Sequence, residues 1–366
     1  MLDILLHLNY DQYEVDLLLL EEMGDYAPML PPQVHVRFKC LKNTYGPFFK
    51  SILRCIQQRD WFCLRMRIIF LLMRLFGQEK ISLAKGMLTG GEHYDCVIGY
   101  RRGICTQIAS FAVNADRRLS WWHHGTVNVA SRPYLKEVGP CDKISVVSNN
   151  TKQMLADVFP VLAEKLVTVP NMLDVFEIKK QASAFVPYDK NHILHIVSVG
   201  RLVPEKHFQN AIRAAKALKE EKIAFQWHLL GDGMLHDMLL HYATEEDMAD
   251  CFIFEGNQPN PYPYIKNADL FVHPSYVESQ GIVILEAMAL GVPCVVTKFR
   301  GPCEFIEDGV NGLLTEQSPE SLTEKVLEIL RDRALYQRIK KNTRCPDQFM
   351  PETVMKKIEA LLENKR

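Results

Sequence analysis

Residues 273–291 read HPSYVESQGIVILEAMALG, and this stretch decides the fold. An apolar strand, Asp269 to His273, runs into a polar loop and then into a helix that stops at Gly291, with Pro293 just beyond. Glu278 lies in the loop and Glu286 inside the helix, with seven residues between them. Ser279, Gln280 and Gly281 bring backbone N–H groups to the helix N-terminus, where an anion is favoured. Two carboxylates to accept from hydroxyls and free amides to donate to a phosphate suit a sugar attached to a diphosphate. The plainer reading makes both glutamates solvated surface residues, as most are.

Outward from this stretch the same alternation repeats. Strands are expected at Ile193–Val199, Gln226–Leu230, Phe252–Glu255, Leu270–His273, Cys294–Thr297 and Gly312–Thr315, with helices at Glu205–Leu218, Met234–Ala243, Gly281–Leu290 and from Pro319 to Leu330 and beyond. This is a doubly wound α/β domain. The first half carries a second series, with strands at Glu14–Leu20, Val34–Phe38, Tyr94–Gly99, Arg118–Trp122, Lys143–Val147 and Val167–Val169. The expected division is 1–174 for a first Rossmann-like domain, 175–190 for a linker, 191–345 for the second domain, and 346–366 for a helical tail that returns to the first. The chain opens on a helical face, Leu2 to Leu8, where a parallel domain ordinarily begins with a strand and loop, so the first domain is expected to be N-terminally incomplete.

The totals narrow the function. A chain of 366 residues fits two domains, and 48% apolar with 24% charged content is that of a globular protein. A net charge of −1 argues against a nucleic-acid binder held by bulk electrostatics. Ten cysteines, scattered with no Cys-x-x-Cys pair, fit a reducing cytoplasm better than a disulfide scaffold or a structural zinc. The longest apolar run, near Arg67 to Phe76, is too short and too basic to span a bilayer. The helices expected at Phe48–Ile56 and Trp61–Phe76 mix Lys50, Arg54, Arg59, Arg65, Arg67 and Arg74 with Phe, Leu, Ile and Met. Such a helix either lies on an anionic membrane surface or packs on the sheet with its arginines reaching back to water.

Several loops carry chemistry. Arg201 follows the strand Ile193–Val199, and Lys206 falls in the expected first turn of the next helix, where a cation opposes the dipole unless it serves an anion. The two can clamp a diphosphate, Arg201 as a fork and Lys206 as a point charge. Gly231-Asp232-Gly233 begins like a dinucleotide fingerprint, but His236 stands at the third glycine position, so it reads as a tight turn beside a ligand. His123 and His124 end a strand with no carboxylate at metal-ligand spacing, and no metal is expected.

These residues meet a family pattern. Gly200-Arg201-x4-Lys206, Gly231-Asp232-Gly233, Asn267-Ala268-Asp269, Pro274-Ser275, and Glu278-x7-Glu286 followed by Ala-Met-Ala-x-Gly-x-Pro resemble family 4 retaining glycosyltransferases of the GT-B fold. The similarity continues through residues 309–314 and, more weakly, through Trp121-Trp122-His123, Val147-Ser148 and Val169-Pro170-Asn171. The resemblance implies two Rossmann-like domains facing across a cleft. It implies transfer of a hexose or N-acetylhexosamine from a nucleotide diphosphate sugar, UDP-sugars favoured, to a saccharide or lipid-linked saccharide in polysaccharide or glycolipid synthesis. By the same resemblance Arg201 and Lys206 hold the diphosphate and Glu286 the ribose. Glu278 contacts the transferred sugar, and the amides of Ser279, Gln280, Gly281 and Ile282 receive phosphate oxygens. Gly200, Gly231, Asp232, Gly233 and Asn257 border the donor, the Glu255–Gln258 loop borders the base, and His123 faces the sugar, with His124 as the alternative. No cofactor or metal is implied. The family's first strand and glycine-rich loop find no counterpart here. A nucleotide-sugar binder without catalysis and a nucleotide-sugar 2-epimerase stay open as rival readings. The compartment this implies is the cytoplasm, peripheral at the inner membrane face.

Overall fold

The computed structural model describes residues 1–22, 24–124, 132–189, 193–299 and 301–363. Gly125, the last linker position at 190, the opening of the second domain at 191–192 and the last three residues of the expected tail lie outside the described residues.

The second domain is a six-stranded parallel sheet. Its strands are β7 (Leu194–Val199), β8 (Phe225–Leu230), β9 (Phe252–Gly256), β10 (Leu270–His273), β11 (Cys294–Thr297) and β12 (Leu313–Thr315), in the order β12-β11-β10-β7-β8-β9. The chain enters at the centre, builds outward to β9, then crosses to β10 and builds the other way. The reversal lies between β7 and β10, and in open α/β sheets ligands collect beyond the strand ends at such a point. Helices cover both faces, so the central strands are buried without alternation: every residue of β10 and β11 is buried.

The first domain holds two separate parallel sheets. Among the described residues β1 (Val15–Leu19) pairs only with β2 (Val34–Phe38), while β3 (His93–Gly99), β4 (Asn114–Trp122), β5 (Lys143–Val146) and β6 (Leu166–Thr168) follow one another in order. The helix Pro351–Leu362 crosses back to this domain, burying Val354, Met355, Ile358 and Leu361 against Leu119, Trp121, Val169 and Met172. No described helix is long and apolar enough to cross a membrane. All ten cysteines are free thiols.

Three local expectations are corrected. The helix expected from Glu205 begins at Phe208: Pro204–Lys206 form a separate 3-10 turn, and His207, at φ +49°, breaks the register before the helix starts. Lys206 is therefore not in a first helical turn, and the dipole argument does not apply to it. The expected linker contains a helix, Val175–Gln181, capped by Asp174 accepting from the Glu177 N–H at 2.9 Å. β4 starts four residues earlier than Arg118 because Asn114, Ala115 and Arg117 pair with His93, Tyr94 and Cys96.

Candidate active site

The loops beyond β7, β8 and β10 meet at the reversal point. Gly231, at φ +133°, packs so closely that a Cβ there would lie 2.0 Å from the Gly200 carbonyl oxygen, and one on Gly233 would lie 2.5 Å from that of Leu202. Only glycine permits this approach. Backbone bonds lock it: Gly200 N–H to Leu230 O at 2.9 Å, Leu202 N–H to Asp232 O at 2.9 Å, and Gly231 N–H to Gly256 O at 2.8 Å. The Asp232 carboxylate accepts from the Gly233 N–H at 2.7 Å. These residues build the wall of the site. Arg201 stands exposed on it, and its side chain makes no hydrogen bond or ion pair among the described residues. Asn257 is exposed beyond β9.

Lys206 and Glu278, from the loops after β7 and β10, form a direct ion pair. Each side chain is mostly shielded from solvent. The Glu278 carboxylate also accepts from His273 Nε2 at 3.0 Å, and His273 is fully buried at the end of β10. Burial by itself raises the Glu278 pKa, but its interactions with His273 and then with Lys206 outweigh it and hold it at about 2. Burial lowers the His273 pKa against the opposing effect of Glu278, and its Nδ1 is buried without a partner among the described residues. The anion that Lys206 serves in the ligand-free protein is thus Glu278 itself.

Gly281 takes φ +79° at the start of the helix Ile282–Ala289, where an added Cβ would meet Ile284 at 2.9 Å. Ser279 is half-buried before it. The Gln280 side chain is 2% exposed and points at the other domain, its oxygen accepting from the Asn171 N–H at 2.8 Å. Its role is a contact between domains, with only its backbone N–H left to the helix N-terminus.

A cavity of about 500 Å³ lies between the domains. Ile282 and Glu286 line it from the second domain, Tyr100 and His123 from the first. Arg201, Lys206 and Glu278 are not among its lining residues, so the sequence-selected side chains divide between this cavity and the adjoining strand-end loops. Burial raises Glu286 to about 7 against the opposing effect of the Tyr262 hydroxyl, which donates to its carboxylate at 3.1 Å. His123 stacks obliquely on Tyr100 at 4.8 Å, and burial lowers it to about 4, leaving a neutral ring with Nε2 unpartnered among the described residues. His124 is exposed, on the opposite side with Trp122 and Tyr134. Strand alternation makes this division: Trp121 and His123 share the face covered by the C-terminal helix, and Trp122 and His124 the other. Among the described residues no group of three His, Cys, Asp or Glu side chains is placed to hold a metal.

Sequence reasoning missed Tyr262 and His273. Tyr262 opens an unexpected helix, Tyr262–Asn267, whose signal was present in Asn260-Pro261, with the Asn260 side chain accepting from the Tyr262 N–H at 3.2 Å. His273 reads only as the last residue of an apolar strand.

Residues 181–345 match the family Glycosyl transferases group 1. The lipopolysaccharide core biosynthesis glycosyltransferase LpsE of Rhizobium meliloti is 35% identical over 145 residues, 39% of this chain and 42% of that protein. The N-acetyl-alpha-D-glucosaminyl L-malate synthase of Bacillus anthracis is 27% identical over 191 residues, 51% of this chain and 49% of that protein. The chain thus spans about half or less of the length of these curated relatives. The crystal structure of Anabaena Alr3699/HepE in complex with UDP and glucose aligns over 99% of this chain and 94% of its own, with a TM-score of 0.73 and 18% identity, a likeness of fold.

Proposed function

With residues 181–345 forming a glycosyl transferases group 1 domain within a GT-B architecture, we propose that the protein is a retaining glycosyltransferase. It takes a hexose or N-acetylhexosamine from a nucleotide diphosphate sugar, UDP-sugars favoured, and passes it to a saccharide or lipid-linked saccharide acceptor in cell-surface polysaccharide or glycolipid synthesis. The observation that carries this reading is the Lys206–Glu278 pair at the reversal point, beside a cavity that sets Glu286 across from His123.

In the reaction the bond from the anomeric carbon to the diphosphate breaks and the acceptor oxygen bonds to the same face. The acceptor proton passes to a diphosphate oxygen. Negative charge grows on the leaving group, where Arg201, Lys206 and the amides at the start of the helix Ile282–Ala289 stabilise it, without calling on a metal. Glu278, released by Lys206, accepts from sugar hydroxyls while His273 keeps it ionised. Glu286 receives the ribose hydroxyls. Neutral His123 offers a hydrogen bond to the sugar from the first domain. Arg201→Ala and Lys206→Ala should each lower turnover about 10²-fold or more, as loss of a transition-state charge donor does. Unchanged turnover in both variants overturns the clamp.

The acceptor is proposed to be presented at an anionic membrane surface on the cytoplasmic side. The helices Phe48–Gln57 and Trp61–Phe76 bury Cys55, Cys63, Met66 and Ile69 and expose a second apolar face: Phe49, Leu53, Ile56, Trp61, Ile68 and Leu75. Phe49 is 84% exposed. Six Lys and Arg side chains against Asp60 alone give the segment 48–76 a charge opposite to the chain's own. Such a face fits the boundary of anionic headgroups and acyl chains.

A further inference from the structure

We propose that Gln280 and Glu304 are positioning residues that tie occupation of the phosphate loop to closure of the two domains. The inference rests on the transferase reading for what fills that loop, and on the geometry alone for the closure.

Gln280 grips one residue of the first domain. Its side-chain oxygen accepts from the Asn171 N–H at 2.8 Å and from Asn171 Nδ2 at 3.0 Å, and its Nε2 donates to the Asn171 carbonyl at 3.3 Å. All three side-chain bonds cross between domains. Glu304, in the loop after β11, makes a second crossing. One carboxylate oxygen accepts from the Asn149 N–H at 3.1 Å and the other from the Asn150 N–H at 2.7 Å, at the start of the helix Asn149–Val158. A carboxylate across two N–H groups at the positive end of a helix is a favoured, charge-assisted contact.

The two crossings share a base. A Cβ on Gly301 would lie 3.0 Å from the Gln280 carbonyl, so the loop that carries Glu304 packs directly on the loop that carries Gln280. A phosphate drawn to the amides at 279–282 orders this pair of loops, and ordered loops hold both crossings in register. Separation of the domains breaks the three bonds from the Gln280 side chain to Asn171 and uncovers a side chain that is 2% exposed in the joined structure. Glu304 regains water on separation, and Ser148, whose hydroxyl accepts from the Thr151 N–H at 3.1 Å, still caps the helix. Gln280 contributes three side-chain bonds to the closed arrangement and Glu304 two.

The test compares wild type, Gln280→Leu and Glu304→Gln, full length, by small-angle X-ray scattering with and without UDP, and by the partition of donor between acceptor and water. Attack by water on the donor gives free sugar, nucleoside diphosphate and a proton, and open domains admit that water. Ligand-free Gln280→Leu should be larger than wild type and should fail to compact with UDP. Its hydrolysis-to-transfer ratio should rise about tenfold, in the usual range of a coupling between sites, while Glu304→Gln, which removes the charge but keeps one acceptor oxygen, shows a smaller shift in the same direction. Wild-type dimensions and partition in both variants overturn the proposal. If no nucleotide binds wild type, the transferase reading fails, and the ligand-free scattering still decides the clasp.

Discussion

The two sides of the cleft are built on opposite terms. In the second domain the loops at the reversal point are tied to one another by backbone bonds and by glycines that admit no side chain, and the charged groups Lys206 and Glu278 meet each other and His273. The first domain divides its strands between two sheets and turns apolar faces of two helices to solvent. The difference teaches that a small polar ligand asks for preorganised loops, and the energy to hold them comes from a core closed on both faces. An exposed apolar face is settled only by what it meets.

The sharpest way to break this contrast is to make the first domain's face polar. Phe49→Glu combined with Leu53→Glu and Trp61→Glu should reduce cosedimentation with phosphatidylserine vesicles more than tenfold at low salt, since each alteration removes apolar burial and adds repulsion. Nucleotide binding should be untouched. Vesicle binding that is absent in wild type, or unchanged in the variant, removes the membrane from the account.

A smaller effect sharpens the other side. Folded Glu286 holds its proton up to about pH 7, while the unfolded carboxyl releases it near 4.5. Between those values the folded state binds more protons, so the ligand-free protein loses stability as pH rises from 4.5 to 7 and levels off above. Glu286→Gln should flatten that slope in urea titrations across this range. A wild-type slope that persists in the variant assigns the proton elsewhere.

How far the sequence went follows from the range of the interactions. The strand-loop-helix at 269–291, the glycine turn at 231–233 and the capped helices are local, and their residues read correctly from neighbours a few positions away. The crossings from Gln280 to Asn171 and from Glu304 to Asn149 and Asn150 join residues more than a hundred positions apart, where no periodicity operates. Lys206 was selected for its charge, yet its setting was misread because Pro204 and His207 end the turn before the helix begins. The choice between His123 and His124 waited on which face the C-terminal helix covers, a tertiary fact. Tyr262 is hidden by its two flanking prolines, which look like a loop although a short helix opens there, with the Asn260 side chain accepting from the Tyr262 N–H.

Binding of a nucleotide diphosphate sugar by the second domain is the central claim. Thermal shift of the full chain with UDP-, GDP- and ADP-sugars tests that most directly. A UDP-sugar at about a hundred times its dissociation constant should stabilise the protein by about 2.7 kcal/mol, with the gain lost in Lys206→Ala. No shift with any of the three donors, or an equal shift in Lys206→Ala, contradicts it.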